Sequence, residues 1–306
     1  MKILLFGSNG QVGWELQRSL APLGELVMPE KGGEALCGDL TDLEGLVRTV
    51  RKVAPTVIVN AAAYTAVDRA ESEPELCSTV NSMAPGILAA EADRLGAWMV
   101  HYSTDYVFDG SGERPWIESD PMAPLGVYGQ TKAQGETRIA AACDRHLILR
   151  TSWVYADRGS NFLLTMLRLL QERESLSVVD DQYGAPTGAE LVADVTAHVL
   201  RAAVLGKGPA GLYHLVPGGQ TTWFGYAQYL LACAQAMGMP VKGVLGAVAT
   251  SAYPTAARRP HNSRLDNKKL ESAFGLQLPP WQQGVRRVLA NVAGRALLWP
   301  ERVNPI

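Results

Sequence analysis

Lys2-Ile3-Leu4-Leu5-Phe6-Gly7-Ser8-Asn9-Gly10-Gln11-Val12-Gly13 is the stretch whose reading decides the fold. An apolar run without period-two alternation is the pattern of a strand buried on both faces. It leads directly into glycines at 7, 10 and 13, and an amphipathic run from Gln11 to Leu20 follows. Glycines let the backbone turn tightly and approach a pyrophosphate, whose charge is met by free N–H groups and the positive end of the helix dipole. The spacing is G-x-x-G-x-x-G rather than G-x-G-x-x-G, and such a turn also occurs with no ligand. A strand before it and a helix after it favour a dinucleotide-binding turn.

Working outward, Glu25 to Met28, Thr56 to Asn60, Trp98 to Ser103 and His146 to Leu149 read as further strands. Between them, Leu43 to Val53 and Pro74 to Leu95 read as helices. This βαβαβα rhythm predicts an α/β fold: a Rossmann-type doubly wound parallel sheet with right-handed crossovers. After about Arg150 the rhythm breaks. Phe162 to Glu172 and Leu191 to Leu205 read as helices, Asp180 to Thr187 as a loop and Gly211 to Leu215 as a strand. The expectation is a dinucleotide-binding domain over 1–150 that also takes in parts of 190–216. Most of 151–306 would form a smaller, discontinuous substrate-binding domain.

With 306 residues, 47% apolar and 19% charged, the chain has the composition of a folded α/β protein. A net charge of -2 supplies no overall field for nucleic acid or anionic membrane, which leaves a small molecule as the expected partner. Cys37, Cys77, Cys143 and Cys233 form no Cys-x-x-Cys pair, so reduced thiols are expected rather than zinc or disulfides. The opening apolar run is too short for a signal peptide and no stretch approaches a membrane span, which points to the cytoplasm.

Tyr128 and Lys132, in Tyr128-Gly129-Gln130-Thr131-Lys132, stack on one helix face. A phenol titrates near 10, and an ammonium one turn away is expected to favour the phenolate and draw that value down. Thr104, in Ser103-Thr104-Asp105-Tyr106-Val107-Phe108-Asp109-Gly110, sits at the end of a strand, where it can bond a carbonyl oxygen or simply its own backbone. Ala61-Ala62-Ala63-Tyr64 follows another strand end and either leaves room for a cofactor or packs the core. At the expected end of the second strand, Glu30 suits a ribose hydroxyl and Lys31 a 2'-phosphate, so NAD and NADP both stay open. Asp39, in Gly38-Asp39-Leu40, reads equally as an adenine contact or a helix N-terminal acid.

Together these residues resemble the extended short-chain dehydrogenase/reductases and, within them, the dTDP-4-dehydrorhamnose reductase family. The likeness also rests on Arg150-Thr151-Ser152-Trp153-Val154-Tyr155, Asp181-Gln182-Tyr183-Gly184-Ala185-Pro186-Thr187 and Arg259-Pro260-His261-Asn262-Ser263-Arg264-Leu265-Asp266. It implies NADPH or NADH as cofactor, lined by Gly7, Gly10, Gln11, Val12, Gly13, Glu30, Asp39, Leu40, Ala61, Ala62, Ala63, Tyr64, Tyr102, Tyr128 and Lys132. Tyr128, Lys132 and Thr104 would be catalytic, and Thr104, Asp105 and Trp153 would contact a nucleotide sugar. The implied reaction is reduction of the C4 ketone of dTDP-4-dehydro-L-rhamnose. Two other readings stand beside it: a reductase of another nucleotide-linked 4-ketosugar, and an NADP-binding regulatory subunit similar to that of methionine adenosyltransferase. Arg258, Arg259 and Arg264 read as a diphosphate cluster or as a solvated basic loop. Some members hold Mg2+ at a dimer interface through glutamates. Glu15 and Glu190 match two such positions, but Ala290-Asn291-Val292-Ala293 stands where another would be expected. A hard cation wants several oxygens, so plain surface glutamates are favoured over an Mg2+ site, which stays open, as do a monomer and a homodimer.

Overall fold

Strand β1, Lys2–Phe6, runs through the interior of a parallel sheet, with Ile3, Leu4, Leu5 and Phe6 all fully buried. The other strands are β2 (Glu25–Val27), β3 (Val57–Asn60), β4 (Trp98–Thr104), β5 (His146–Thr151) and β6 (Gly211–His214), in the order β6-β5-β4-β3-β1-β2. This computed structural model of the chain describes residues 1–298. The last eight residues of the expected second domain, 299–306, lie outside them. Val57, Ile58 and Val59 are as buried as β1, because helices cover both faces of the sheet.

On one face, the helices Gln11–Leu20 and Ala189–Val204 pack together against Ile3, Leu5, Val59 and Leu149. On the other, the helices Leu43–Val53, Ala84–Arg94 and Val127–Ala142 bury Leu46, Leu88 and Ile139 against Leu4, Phe6 and Ile58. The Ala189–Val204 helix carries the chain back to the sheet, where β6 pairs in parallel with β5. A separate apolar cluster joins the helices Phe162–Glu172, Trp223–Ala236 and Trp281–Leu298 through Leu163, Leu170, Tyr226, Leu230 and Val285.

The expected single run from Pro74 to Leu95 is instead Pro74–Ser78, a π-helical turn at Thr79–Met83, and Ala84–Arg94. Irregular turns of this kind reposition a side chain that a regular helix would aim elsewhere. The second half also holds a parallel pair, Ser175–Val179 with Val244–Val248, that the sequence reading leaves out. Within the expected loop, Tyr183–Gly184 and Thr187–Gly188 each make a short ladder.

The sheet order reverses between β1 and β3, the place where open α/β sheets hold ligands beyond their strand ends. The turn after β1 and the segment after β3 lie against each other there. Gly7 has φ +76, and a Cβ on it would fall 2.5 Å from Ala62 N. A Cβ on Gly13 would fall 1.9 Å from the Gly7 carbonyl oxygen, so only glycine lets the first helix pack this close to its strand.

Candidate active site

The first helix begins at Gly10, which offers no side-chain cap, so the backbone N–H groups of its first turn have no capping acceptor. A Cβ on Gly10 would meet nothing nearer than Gly7 O at 3.4 Å. A small open surface lined by backbone amides is what a pyrophosphate requires, so these residues fit a dinucleotide. Gln11 extends to accept from Asn161 Nδ2 at 2.8 Å, while Val12 packs into the core beside Leu16.

Glu30 is exposed, and its carbonyl accepts from Gly33 N at 3.1 Å and Gly38 N at 3.0 Å. These bonds fold the segment after β2 so that Lys31 Nζ lies 4.0 Å from the Asp39 carboxylate. Asp39 accepts from Thr41 N and Thr41 Oγ1, whereas the next helix is capped by Asp42, which accepts from Gly45 N at 2.8 Å. Asp39 is therefore not the helix cap. Leu40 is buried in the core, so its side chain is not offered to the cleft.

Tyr128 stands in the first turn of the Val127–Ala142 helix, and the following Gly129 lets that helix approach β4. A Cβ at 129 would fall 2.2 Å from the Tyr106 carbonyl oxygen. Tyr106 in turn sets its ring edge against Tyr128, at 5.6 Å between centroids. The Thr104 hydroxyl, at the end of β4, lies within hydrogen-bonding reach of Tyr128. It also donates to Asp105 Oδ1 at 3.1 Å and accepts from Tyr106 N at 3.2 Å. Asp105 is 2% exposed, and its Oδ2 has no protein hydrogen-bond partner. Burial pushes the Asp105 carboxyl up to about 6, against the pull of Ser263 and Thr104.

The expected effect of Lys132 on Tyr128 is not what this cleft shows. Burial, followed by the Asp105 charge, raises the Tyr128 phenol above its usual value, and it is the Thr104 hydroxyl that pulls it down. Lys132 is turned elsewhere: its Nζ donates to the Tyr102 carbonyl at 2.5 Å and meets His101 Nε2 at 3.1 Å. Burial lowers the ammonium to about 8, with Glu136 and Cys77 opposing. Tyr102 presents only its backbone to this cluster. Its phenol crosses to the other face of the sheet and shares a hydrogen bond of 2.9 Å with Thr196.

Trp153 is held by different neighbours. It has φ +50, a strained backbone for a bulky residue, and its ring stacks on Trp223 at 3.7 Å. Gly184 also packs against it, where a Cβ would fall 2.6 Å from the indole. Two of the three arginines are engaged separately: Arg259 binds Asp68 at 2.6 Å, and Arg264 is tied to Asn262 and Gln220. Glu190 is paired with Arg287 at 3.1 Å and Glu15 with Arg18 at 3.4 Å. Both carboxylates thus already face guanidinium groups, a poor setting for a divalent cation, and the described residues hold no cluster of three or more metal-ligating side chains.

Three polar residues escape the sequence reading. Asn81, in the π-helical turn, accepts from Tyr64 N at 2.9 Å and donates to Tyr64 O at 3.0 Å, which fixes the segment after β3. Asn60 and His101 are register partners on β3 and β4, each 1% exposed. A polar residue directly after an apolar strand run, Val57-Ile58-Val59 or Met99-Val100, was the available signal for both.

An uncapped glycine turn, a hydroxyl at a strand end and a Tyr/Lys pair on one helix, set on this sheet, are the features of an extended short-chain dehydrogenase/reductase. A family model described as RmlD substrate binding domain matches residues 1–293. The dTDP-4-dehydrorhamnose reductase of Escherichia coli strain K12 is 56% identical over 290 residues, covering 94% of this chain and 97% of that protein. The crystal structure of a dTDP-4-dehydrorhamnose reductase from Clostridium acetobutylicum matches with a TM-score of 0.88 at 32% identity, over 95% of this chain and 99% of that one. The Bacillus anthracis enzyme, solved in complex with NADP, matches with a TM-score of 0.87 at 32% identity over the same shares of the two chains. The chain belongs to the dTDP-4-dehydrorhamnose reductase family of oxidoreductases. Among the described residues, no helix is long and apolar enough to cross a membrane.

Proposed function

We propose that this protein reduces the C4 ketone of dTDP-4-dehydro-L-rhamnose to dTDP-L-rhamnose, with Tyr128 as the proton donor. The observation that carries the reading is the convergence of Tyr128 and Thr104 at the end of β4, on the same edge of the parallel sheet as the uncapped turn after β1, in a chain 56% identical to a curated reductase. Bound NADPH or NADH supplies the hydride that reaches C4. The turn at Gly7, Gly10 and Gly13 holds its pyrophosphate, and Ala61, Ala62 and Ala63 leave space beside it. Lys132 holds the ribose side of the cofactor, while Asp105 and Trp153 contact the sugar nucleotide.

Negative charge develops on the ketone oxygen as C4 is reduced. Thr104 and Tyr128 both offer it a hydroxyl, and the Tyr128 proton crosses to it. A phenol whose acidity is weakened by burial is protonated at neutral pH, so Tyr128 starts in the form that a donor needs. With purified protein, the dTDP-4-keto sugar and NADPH or NADH, nicotinamide absorbance is expected to fall. Tyr128→Phe is expected to lose at least about 100-fold in kcat with cofactor affinity retained. No oxidation by the unaltered protein with either cofactor would sink the proposal.

A further inference from the structure

Asn161 joins three parts of the chain through one amide. Its Oδ1 accepts from Leu164 N at 3.0 Å and so caps the Phe162–Glu172 helix. Its Nδ2 donates to Ala156 O at 3.0 Å, Arg158 O at 3.1 Å and Gln11 Oε1 at 2.8 Å. Backbone groups fix which end is which: turned over, the amide would set its NH2 against the Leu164 N–H and its oxygen against the carbonyls of Ala156 and Arg158. Asn161 thus holds the loop 156–161 closed and fastens it to Gln11, the first residue of the helix after the glycine turn.

A second contact seats the same loop on the same helix. Trp14 shares the helix face of Gln11, and the Arg158 guanidinium stands 3.6 Å over its ring. Gly159 has φ +70, and a Cβ there would fall 3.3 Å from Gln11 Cγ, so the loop lies close against that side chain. Both ends of the loop lead to one aromatic stack. Trp153 shortly precedes Ala156, and Phe162 follows Asn161 directly. The Phe162 ring lies 4.6 Å from Trp223, which stacks on Trp153 at 3.7 Å and donates from Nε1 to Gln182 Oε1 at 3.1 Å.

We propose that Asn161 is a positioning residue that braces the Trp153–Trp223 stack against Gln11, so that a residue of the cofactor turn also sets affinity for the nucleotide of the substrate. The effect on affinity rests on the reading of Trp153 as a sugar-nucleotide contact; the brace does not. A stack free to shift spends time in geometries that do not bind, and affinity falls by that fraction. Losing the Gln11 bond alone leaves the helix cap and both loop bonds of Asn161 in place, so its effect can be read by itself.

Hydrogen exchange of the Trp223 indole N–H, followed by NMR without ligands and assigned through Trp223→Phe, reads the brace directly. Gln11→Ala is expected to speed it about tenfold, the size of one lost hydrogen bond. Asn161→Ser, which keeps the cap with a hydroxyl too short to reach Gln11, should speed it as well. Gln11→Glu still offers an oxygen to Asn161 Nδ2 and is expected to restore the slower rate. An unchanged rate in either of the first two variants, or no restoration by Glu, would overturn the proposal. Binding of dTDP, measured by calorimetry without cofactor, should weaken about tenfold in Gln11→Ala, and the losses from Gln11→Ala and Asn161→Ser should not add in the double variant. Affinity that falls in Trp153→Ala but not in Gln11→Ala, or losses that add, would also overturn it. Affinity unchanged in Trp153→Ala would instead reject the Trp153 contact, and with it the effect on affinity, while the exchange rate still decides the brace.

Discussion

Replacing Asp105 by Asn should stabilise the protein at neutral pH while weakening its chemistry. The Asp105 carboxyl titrates near 6 in the folded chain against an ordinary value of 3.8, and desolvation is the leading cause. The folded state therefore binds this proton more tightly than the unfolded one. By linkage, the contribution of Asp105 is most favourable below about pH 4, falls as pH rises through 6, and is flat above about pH 7. A difference of this size costs the folded state about 3 kcal/mol once the group is ionised in both states. Asn keeps the shape and an oxygen for the Thr104 hydroxyl, which now donates at 3.1 Å, but it does not titrate. The stability of Asp105→Asn relative to the unaltered protein should thus increase by up to about 3 kcal/mol between about pH 4 and pH 8. Urea unfolding at several pH values measures this, and taking the change with pH cancels packing differences that do not titrate. Turnover should fall, because the carboxylate expected to contact substrate is gone, the usual exchange of stability for function at a destabilised site. A relative stability that stays level across that range would refute the reasoning: the carboxyl would have to be solvated despite its 2% exposure.

Three further changes probe the supports of the cleft. Glu136→Gln leaves the Arg150 guanidinium buried without its carboxylate and should cost about 3–5 kcal/mol in urea unfolding; a loss below about 1 kcal/mol would mean that water reaches the pair. Gly129→Ala places a methyl 2.2 Å from the Tyr106 carbonyl oxygen, so the helix must retreat and carry Tyr128 with it. Its kcat should drop roughly 10–100-fold, and unchanged kcat would show that the helix start is free to shift. Asn81→Ala removes both hydrogen bonds to the Tyr64 backbone and should raise the cofactor KM more than it lowers kcat, with about 1–3 kcal/mol of stability lost. Equal effects on both constants would place Asn81 outside the cofactor side of the cleft.

Much of the sheet could be read from single segments because its evidence is local. Lys2–Phe6 is unalternated and apolar, the glycines follow at once, and both facts lie within a dozen residues. The Tyr128/Lys132 spacing was equally local, but the direction in which Lys132 points was not. That direction depends on His101 and the Tyr102 carbonyl, some 30 residues earlier, and on burial that only the assembled helix layer creates. Tyr102 shows the same limit from the other side: adjacent strand residues face opposite ways, and its phenol goes to Thr196 on a helix 94 residues later. The π-helical turn at Thr79–Met83 was hidden because its residues suit a regular helix, and its effect appears only where Asn81 meets Tyr64.

The end of β4 must satisfy two demands that pull apart. Thr104 and Asp105 need a dry, fixed setting if their oxygens are to meet substrate in one geometry, and dryness is also what raises the Asp105 carboxyl and the Tyr128 phenol. A cation beside them would relieve both groups, yet Lys132 is drawn back to the Tyr102 carbonyl and His101. Burial keeps Tyr128 protonated before reaction, as a donor must be, but leaves the phenolate unsupported once the proton has gone. On the proposed reading the cleft suits the start of the reduction, and the phenolate left at its end must regain a proton. If so, the step that recharges Tyr128 should depend on solvent protons: in D2O, turnover under saturating substrate should slow in unaltered protein, and an identical rate in H2O and D2O would show that proton movement does not limit that step.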